Sequence, residues 1–177
     1  PDDKTPLSAM ALVAIAERAN MPKGLINILT GNPEEIGTEL TSNPQVKKIS
    51  FTGSTAIGKK LMESCASTVK RTSMELGGNA PFIVFNDANI DASVEGAIKS
   101  KFRNAGQTCI CANRFLIQSD VYDEFSKKFT QAVKNLTLGF GNKKGTSVGP
   151  LINEEAADNI CELIEDALEK GSKLLVG

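Results

Sequence analysis

Two cysteines in one short segment are the residues of this chain best suited to chemistry. Cys109 follows the polar turn Asn104–Gln107, and Cys111 lies two residues further on. A cysteine attacks an electrophile as its thiolate, which helix ends and loops rich in hydrogen-bond donors stabilise. The imidazole that usually activates such a nucleophile is missing, because the chain contains no histidine. Another residue must therefore serve as the base.

Two charged residues could assist such a cysteine. Glu75 is followed by Leu76 and by the pair Gly77-Gly78, which permits an unusual turn and a close approach of the backbone. Arg103 precedes Cys109 in the same segment, and a guanidinium group can grip a carboxylate through two parallel hydrogen bonds. By residue type alone, both would be ordinary solvated charges. Their positions beside glycines and a cysteine make them candidates for a site.

A third candidate is a glycine turn at Phe51–Ser54, between a predicted strand and a predicted helix. Free backbone N–H groups and the helix dipole favour a phosphate at such a turn. The run Gly53–Lys60 nearly matches a P-loop, but Lys60 stands where a hydroxyl group would hold Mg²⁺. The run also differs from the G-x-G-x-x-G of the common dinucleotide fold. A plain strand-to-helix turn with Ser54 as the helix cap explains this segment equally well.

The other two cysteines have a simpler interpretation. Cys65 and Cys161 lie among apolar residues of predicted helices, and we expect both to pack in the core. The four cysteines lack paired C-x₂-C spacing and have no histidine to complement them, so we predict no metal site. Four cysteines are also too few for a secreted disulfide scaffold, which favours a reducing compartment.

The composition limits the classes of function. The apolar content of 41% and mean hydropathy of −0.13 are typical of a globular protein. The formal net charge of −1, with scattered lysines and arginines, argues against nucleic-acid binding. No apolar run approaches the roughly 18 residues of a membrane span. We therefore expect neither a nucleic-acid partner nor a membrane partner.

Short apolar strands alternate with helices along the chain, which predicts β-α-β units on parallel sheets and an α/β fold. Gly77-Gly78 marks a domain boundary, so we expect domains over 1–77 and 78–177. The chain begins with Pro1 and ends in a predicted strand, so we also expect it to be a piece of a longer protein. The predicted helices span 7–20, 34–40, 55–66, 91–102, 121–133 and 154–170, and the predicted strands span 25–29, 48–51, 82–85, 115–117 and 175–177.

Three motifs together resemble the aldehyde dehydrogenase superfamily. They are Phe51–Ser54, Glu75–Gly78 and Gly106–Cys109, in the order and with the spacing of that family. The likeness extends across the whole chain and includes Gly149–Ile152. The segment Ser100–Cys111 is most similar to the succinate-semialdehyde dehydrogenases of the superfamily. The resemblance implies a partial aldehyde dehydrogenase fold, with part of a Rossmann-like cofactor domain over 1–77 and part of the catalytic domain over 78–177.

The resemblance also implies roles for the candidate residues. Cys109 would be the nucleophile and Glu75 the base that activates water to hydrolyse a thioester. Arg103 would bind the substrate carboxylate, and Cys111 would pair with Cys109 as a redox switch. NAD or NADP would be the cofactor, with Ser54 at its pyrophosphate, the Gly31 to Pro33 turn beside its adenine and the Leu76 backbone near its nicotinamide. The implied cofactor-binding residues are Gly31, Pro33, Gly53, Ser54, Thr55, Gly58 and Leu76.

The implied activity is the NAD(P)⁺-dependent oxidation of succinate semialdehyde to succinate, as in 4-aminobutyrate degradation. The alternatives are another aldehyde such as glutarate semialdehyde, a cysteine hydrolase or acyltransferase, or a non-catalytic module. Hydrolases usually pair cysteine with histidine, which disfavours that alternative here. We expect the parent enzyme to be a homodimer or homotetramer of the cytoplasm or mitochondrial matrix. We expect the 177 residues alone to be inactive.

Overall fold

A computed structural model describes residues 1–177. The chain forms two compact units, Pro1–Leu76 and Gly77–Gly177. Each unit contains one two-stranded parallel sheet and helices. The predicted α/β class with parallel pairing is therefore confirmed. The cofactor and catalytic roles assigned to 1–77 and 78–177 stay predictions.

The first unit is a β-α-β motif preceded by two helices. Strands β1 and β2 pair in parallel, with α3 as the crossover between them. The register runs from Lys48 beside Arg71 to Gly53 beside Leu76. Parallel strands require such a crossover, because a tight hairpin cannot join them. The elements of this unit are α1 (Leu7–Arg18), α2 (Pro33–Ser42), β1 (Lys48–Gly53), α3 (Thr55–Ala66) and β2 (Arg71–Leu76).

A glycine sets the distance between α3 and the sheet. Gly58 is buried, and a Cβ atom placed on it would lie 2.6 Å from Cδ2 of Leu76. The other carbons of the same isobutyl group, Cδ1 and Cγ, would lie at 3.2 and 3.5 Å. The first turn of α3 therefore packs directly on the end of β2. This contact gives Gly58 a packing role, whereas its contact with a cofactor stays a prediction.

The second unit repeats the β-α-β arrangement. Strands β3 and β4 pair in parallel, with an irregularity between Ala80 and Pro81. Helix α4 and a short 3₁₀ turn connect the two strands, and α5 follows β4 directly. The elements are β3 (Ala80–Val84), α4 (Ile90–Phe102), the 3₁₀ turn (Arg103–Gly106), β4 (Ala112–Ile117), α5 (Ser119–Lys134) and α6 (Glu154–Glu169).

The core of the second unit lies between its sheet and helices α4 and α5. Its buried residues include Val84 of β3, Ala97 of α4 and Phe125 of α5. Phe129 stacks against Phe125 with ring centroids 5.4 Å apart, and lies 5.3 Å from the ring of Phe115. These aromatic contacts hold α5 against β4. The core therefore anchors α4, and the cysteine segment follows the C-terminal end of this helix.

Three expectations about apolar residues are wrong. Residues 25–29 form turns and irregular backbone rather than a buried strand, and Leu25 and Leu29 are 68% and 66% exposed. Residues 175–177 are also not a strand. Neither segment has a neighbouring strand, and an apolar run becomes β-structure only where a partner accepts its hydrogen bonds. Cys161 is exposed because α6 buries none of its residues, whereas Cys65 is buried as expected.

No helix of this protein combines the length and the apolar character needed to cross a bilayer.

Candidate functional site

The cysteine segment begins with strained backbone where α4 ends. Asn104, Ala105 and Gly106 have φ values of 52°, 56° and 79°, so three consecutive residues lie in the left-handed region. Glycine adopts this region freely, but the left-handed conformation costs roughly 1–2 kcal/mol at each of the two non-glycine residues, Asn104 and Ala105. Such strain persists only where the surroundings fix the conformation, and it concentrates at functional sites. The strained turn leads directly to Cys109.

Side-chain amides hold this turn in place. Asn104 Nδ2 donates to the carbonyl oxygen of Gln107 at 3.2 Å, and Gln107 Nε2 donates to the carbonyl oxygen of Asn104 at 3.0 Å. The other end of the Gln107 amide accepts a hydrogen bond from the backbone N–H of Ile152 at 2.9 Å. The turn is therefore bonded both to itself and to the segment ahead of α6.

The two neighbouring cysteines differ sharply in environment. Cys109 is exposed, whereas Cys111 is only 2% exposed. The Cys111 thiol donates a weak hydrogen bond to the carbonyl oxygen of Lys101 at 3.4 Å. Gly106 packs on the same two groups, since a Cβ atom on it would lie 3.1 Å from that oxygen and 3.8 Å from the Cys111 sulfur. Of these two thiols, only Cys109 is accessible to a substrate.

A second glycine approaches the nucleophile itself. A Cβ atom placed on Gly78 would lie 3.1 Å from the carbonyl oxygen of Cys109, whereas one on Gly77 would meet nothing within 4 Å. The strand β3 therefore begins against the backbone of the cysteine segment. This close approach explains the glycine at position 78, whereas the open space around Gly77 imposes no such limit.

Arg103 borders a shallow depression next to the same segment. The depression has a volume of about 320 Å³ and is lined by Gly96, Lys99, Ser100, Arg103, Thr108 and Ile110. Lys99 is paired with Glu95 at 2.5 Å, and this hydrogen bond and the lysine charge lower the pKa of Glu95. Arg103 has no carboxylate partner in the chain. Arg103 is therefore the cation at this depression whose charge is not neutralised by a partner.

In the first unit, the glycine turn and Glu75 lie at the C-terminal ends of two adjacent parallel strands, β1 and β2. The parallel register places Thr52 beside Glu75 and Gly53 beside Leu76. Ser54 caps α3, because its Oγ accepts the backbone N–H of Ile57 at 3.3 Å. The strand-to-helix turn and the helix cap that the sequence indicated are both present. Glu75 belongs to the first unit and Cys109 to the second.

A mostly apolar cavity of about 310 Å³ adjoins the same turn in the first unit. It lies between α2 and α3, and its lining includes Gly31, Pro33, Ile36, Ile57 and Leu61. Asn32 begins α2 by accepting the backbone N–H of Glu34 at 2.9 Å. The predicted cofactor residues Gly31 and Pro33 are thus brought together with the N-terminal turn of α3. A group of three or more metal-ligating side chains is absent.

The sequence did not reveal the bond between Gln107 and Ile152 or the burial of Cys111. Gln107 stood out only as part of a motif, and the segment Gly149–Ile152 only as part of a resemblance. Hydrogen bonds across 45 residues depend on how the elements pack, which local patterns do not encode.

The chain belongs to the aldehyde dehydrogenase family, whose profile matches residues 1–177. It is 56% identical over 177 residues to succinate-semialdehyde dehydrogenase (NADP(+)) GabD of Escherichia coli strain K12, covering all of this chain and 37% of that protein. It is 55% identical to 3-sulfolactaldehyde dehydrogenase and to glutarate-semialdehyde dehydrogenase, both of Pseudomonas putida, covering 36% and 37% of them. The chain thus spans little more than a third of the length of these relatives.

Solved structures agree on the fold. The crystal structure of an NADP-dependent enzyme of E. coli matches with a TM-score of 0.98 at 55% identity, covering all of this chain and 37% of that one. Succinate-semialdehyde dehydrogenase from Burkholderia pseudomallei matches with a TM-score of 0.97 at 55% identity and the same coverage. The expected partial aldehyde dehydrogenase fold is confirmed.

Proposed function

We propose that this chain carries the nucleophile and part of the cofactor site of an enzyme that oxidises a carboxylate-bearing aldehyde, foremost succinate semialdehyde, to the acid. The observation that carries the substrate class is Arg103, a cation without a carboxylate partner at the depression lined also by Thr108 of the cysteine segment. A carboxylate at the far end of the substrate would supply that partner. The E. coli and Pseudomonas relatives act, by their names, on succinate and glutarate semialdehydes.

Cys109 is the nucleophile in this proposal. Its sulfur attacks the aldehyde carbon, a C–S bond forms, and the carbonyl electron pair moves to oxygen. The backbone N–H of Cys109 is suited to donate to the resulting oxyanion. Exposure of Cys109, in contrast to buried Cys111, supports this choice between the two thiols.

NAD or NADP fits the residues of the first unit. The cavity between α2 and α3 offers apolar walls for a planar base, and the adjoining turn at Ser54 begins a helix whose first N–H groups suit a pyrophosphate. The residues proposed to hold the cofactor are Gly31, Pro33, Gly53, Ser54, Thr55, Gly58 and Leu76. When bound, the nicotinamide supplies the acceptor for the hydride of the reaction.

Glu75 is the proposed base for the second half of the reaction. Its carboxylate would take a proton from a water molecule, whose oxygen then attacks the Cys109 thioester and releases the acid and the thiol. The β2 register supports this role, because it places Glu75 beside the turn that leads to Ser54. We assign the cofactor role to 1–77 because these residues contain the turn at Ser54, and the nucleophile role to 78–177 because these residues contain Cys109.

Cys109 and Cys111 are also proposed to form a reversible disulfide. Peroxide would oxidise the two thiols to one disulfide and be reduced to water, with both thiol protons ending in water. Because Cys111 is buried against the carbonyl of Lys101, the segment must rearrange before the two sulfurs can meet. Such a bridge between near neighbours is strained and easily reduced.

The experiment is a steady-state assay of the complete gene product that carries this chain. Formation of reduced nicotinamide is followed with succinate semialdehyde, glutarate semialdehyde and an uncharged aldehyde of similar length, each with NAD and with NADP. We expect the highest kcat/KM with a carboxylate-bearing aldehyde and loss of turnover in Cys109→Ala. Absence of nicotinamide reduction with every aldehyde, together with thioester hydrolysis, would identify a cysteine hydrolase instead.

A further inference from the structure

The segment Gly149–Ile152, which has no role in the proposed reaction, is joined to the cysteine segment by one side chain. Gln107 Oε1 accepts the backbone N–H of Ile152 at 2.9 Å, across 45 residues of sequence. At its other end, Gln107 Nε2 donates to the carbonyl oxygen of Asn104 at 3.0 Å. Because both ends of the amide are engaged, Gln107 is not free to bind a substrate.

The turn that Gln107 holds cannot be maintained by its own backbone preferences. Asn104 and Ala105 are non-glycine residues in the left-handed region, so relaxation of the turn would release strain. The carbonyl oxygen of Asn104 accepts from both the backbone N–H and the side chain of Gln107. These bonds would move with the turn if it shifted as a whole. The bond to Ile152 ties the turn to a distant part of the same unit.

We propose that Gln107 is a positioning residue for Cys109, which clamps the strained turn Asn104–Gly106 to the backbone of Ile152. Loss of the clamp lets the turn open and displaces the nucleophile that follows it. The consequence for catalysis rests on the function proposed above, whereas the clamp itself does not.

A buried thiol in the same segment reports the opening. Cys111 is 2% exposed and packs beside Gly106, so iodoacetamide can reach it only when the segment opens. The substitution Gln107→Met removes both hydrogen bonds at nearly constant volume. Alkylation of Cys111 in the 177-residue chain is followed by peptide mass spectrometry, and exposed Cys161 in the same molecule standardises the reagent. Loss of one hydrogen bond changes an opening equilibrium by about fivefold, so we expect at least that increase.

Gln118 offers a matched control. Its side-chain oxygen accepts the backbone N–H of Asn86 at 2.8 Å, across 32 residues of the same unit. Gln118→Met therefore removes an equivalent long-range bond at the opposite end of β4 from Cys111, and we expect Cys111 alkylation within about twofold of the wild type. Gln107→Glu keeps the acceptor for Ile152 and loses the donor for Asn104, so it should give an intermediate rate.

Hydrogen exchange separates local opening from loosening of the whole unit. In Gln107→Met, the amide of Ile152 should lose protection, while the amide of fully buried Ala97 in α4 should keep it. The proposal is wrong if Cys111 alkylation stays within twofold of the wild type after Ile152 loses protection. It is also wrong if Gln118→Met has the same effect, or if Ala97 loses protection together with Ile152.

The clamp and the proposed function can fail separately. In the complete gene product, Gln107→Met should lower kcat for the best aldehyde by about tenfold or more with little change in KM, because misplacement of a reacting group weakens transition-state binding. If the complete product oxidises no aldehyde while Cys111 and Ile152 respond as expected, the proposed function is wrong and the clamp stands. Unchanged kcat with an opened segment would refute the positioning role.

Discussion

The carbonyl oxygen of Cys109 lies so close to Gly78 that a methyl group on this glycine would crowd it. A Cβ atom at that position would approach the oxygen to 3.1 Å, which is tighter than ordinary van der Waals contact. The opposing atom belongs to the backbone, so it cannot rotate away as a side chain could. The beginning of β3 thereby helps to fix the position of the proposed nucleophile.

We expect Gly78→Ala to impair the nucleophile without unfolding the unit. The backbone at Cys109 must move by a few tenths of an ångström, and small displacements of a reacting group reduce turnover by about tenfold. The measurement is kcat in the complete gene product, with circular dichroism as a folding check. Gly77→Ala is the control, because its methyl group meets nothing within 4 Å and should leave the position of the Cys109 thiol unchanged. Equal iodoacetamide rates at Cys109 in the two variants would refute this interpretation.

The contact between Gly58 and Leu76 predicts an effect on stability. A methyl group at Gly58 meets three carbons of the same isobutyl group, so the whole Leu76 side chain must move. We expect Gly58→Ala to lower the free energy of unfolding by about 1–3 kcal/mol, measured by urea denaturation.

Another helical glycine provides the comparison. Gly37 lies in α2, and a methyl group there would be 3.9 Å from Leu61. Gly37→Ala should therefore stabilise the protein by up to about 1 kcal/mol, through helix propensity alone. If both variants shift the unfolding midpoint in the same direction by the same amount, the packing interpretation of Gly58 is wrong.

Arg103 should determine the preference for charged substrates. Hydrogen bonds to charged groups contribute about 1.5–3 kcal/mol, so Arg103→Leu should lower kcat/KM for succinate semialdehyde by about 10–100-fold. The value for an uncharged aldehyde should stay nearly constant. Lys99→Met is the matched control, because the Lys99 charge is already paired with Glu95. A similar loss with charged and uncharged aldehydes would show that Arg103 has no part in recognising the carboxylate.

Cys111 should determine whether oxidation can be reversed. In the wild type, mild peroxide should link Cys109 to Cys111, and dithiothreitol should restore the free thiols, as followed by intact-mass and peptide analysis. In Cys111→Ala the nucleophile has no neighbour to trap its sulfenic acid, so oxidation should continue to irreversible states. Identical recovery of the Cys109 thiol in both proteins would remove the basis for a switch.

An ion-paired lysine links α4 and α5 and predicts a dependence on pH. Lys128 Nζ lies 2.7 Å from Asp91 Oδ1 and 2.8 Å from Glu124 Oε1. The hydrogen bond to Asp91, followed by that to Glu124, raises the pKa of Lys128. A raised pKa in the folded state stabilises the protein below the unfolded pKa of about 10.4, and this contribution disappears as the pH rises through the folded value.

Lys128→Met should therefore lower the urea midpoint at pH 7 by a small amount that decreases in high salt, because the groups are exposed. The difference from the wild type should vanish when both proteins are measured above the folded pKa of Lys128. Lys127→Met tests whether loss of any neighbouring lysine has the same effect, since Lys127 has no ion pair. An undiminished difference at alkaline pH would contradict the role of the charge.

The sequence predicted best what short-range patterns determine. The helix cap at Ser54 and the alternation of strand and helix follow from a few neighbouring residues. The order of three short motifs was sufficient to predict the family. Assembly as a homodimer or homotetramer and location in the cytoplasm or mitochondrial matrix stay predictions, because they depend on surfaces and signals that these motifs do not describe.

The errors and omissions share a physical cause. Residues 25–29 have the apolar composition of a strand, but they lack a neighbouring strand to accept their hydrogen bonds. Cys161 lies on an apolar helix face, yet α6 buries none of its residues. The bond from Ile152 to Gln107 was also not predicted, because these residues are 45 positions apart and meet only through the packing of their segments. Each case depends on what packs against a segment, and the segment itself does not encode that.

The parallel register of β1 and β2 makes some changes of chain length harmless and others severe. Residues could be added to the C-terminal part of α3 without altering which residues of the two strands lie side by side. One extra residue within β2 would shift Glu75 away from Thr52 and turn its side chain to the opposite face of the sheet. Length variation among homologues should therefore accumulate in the crossover and be excluded from the few residues on either side of the pairing of Gly53 with Leu76.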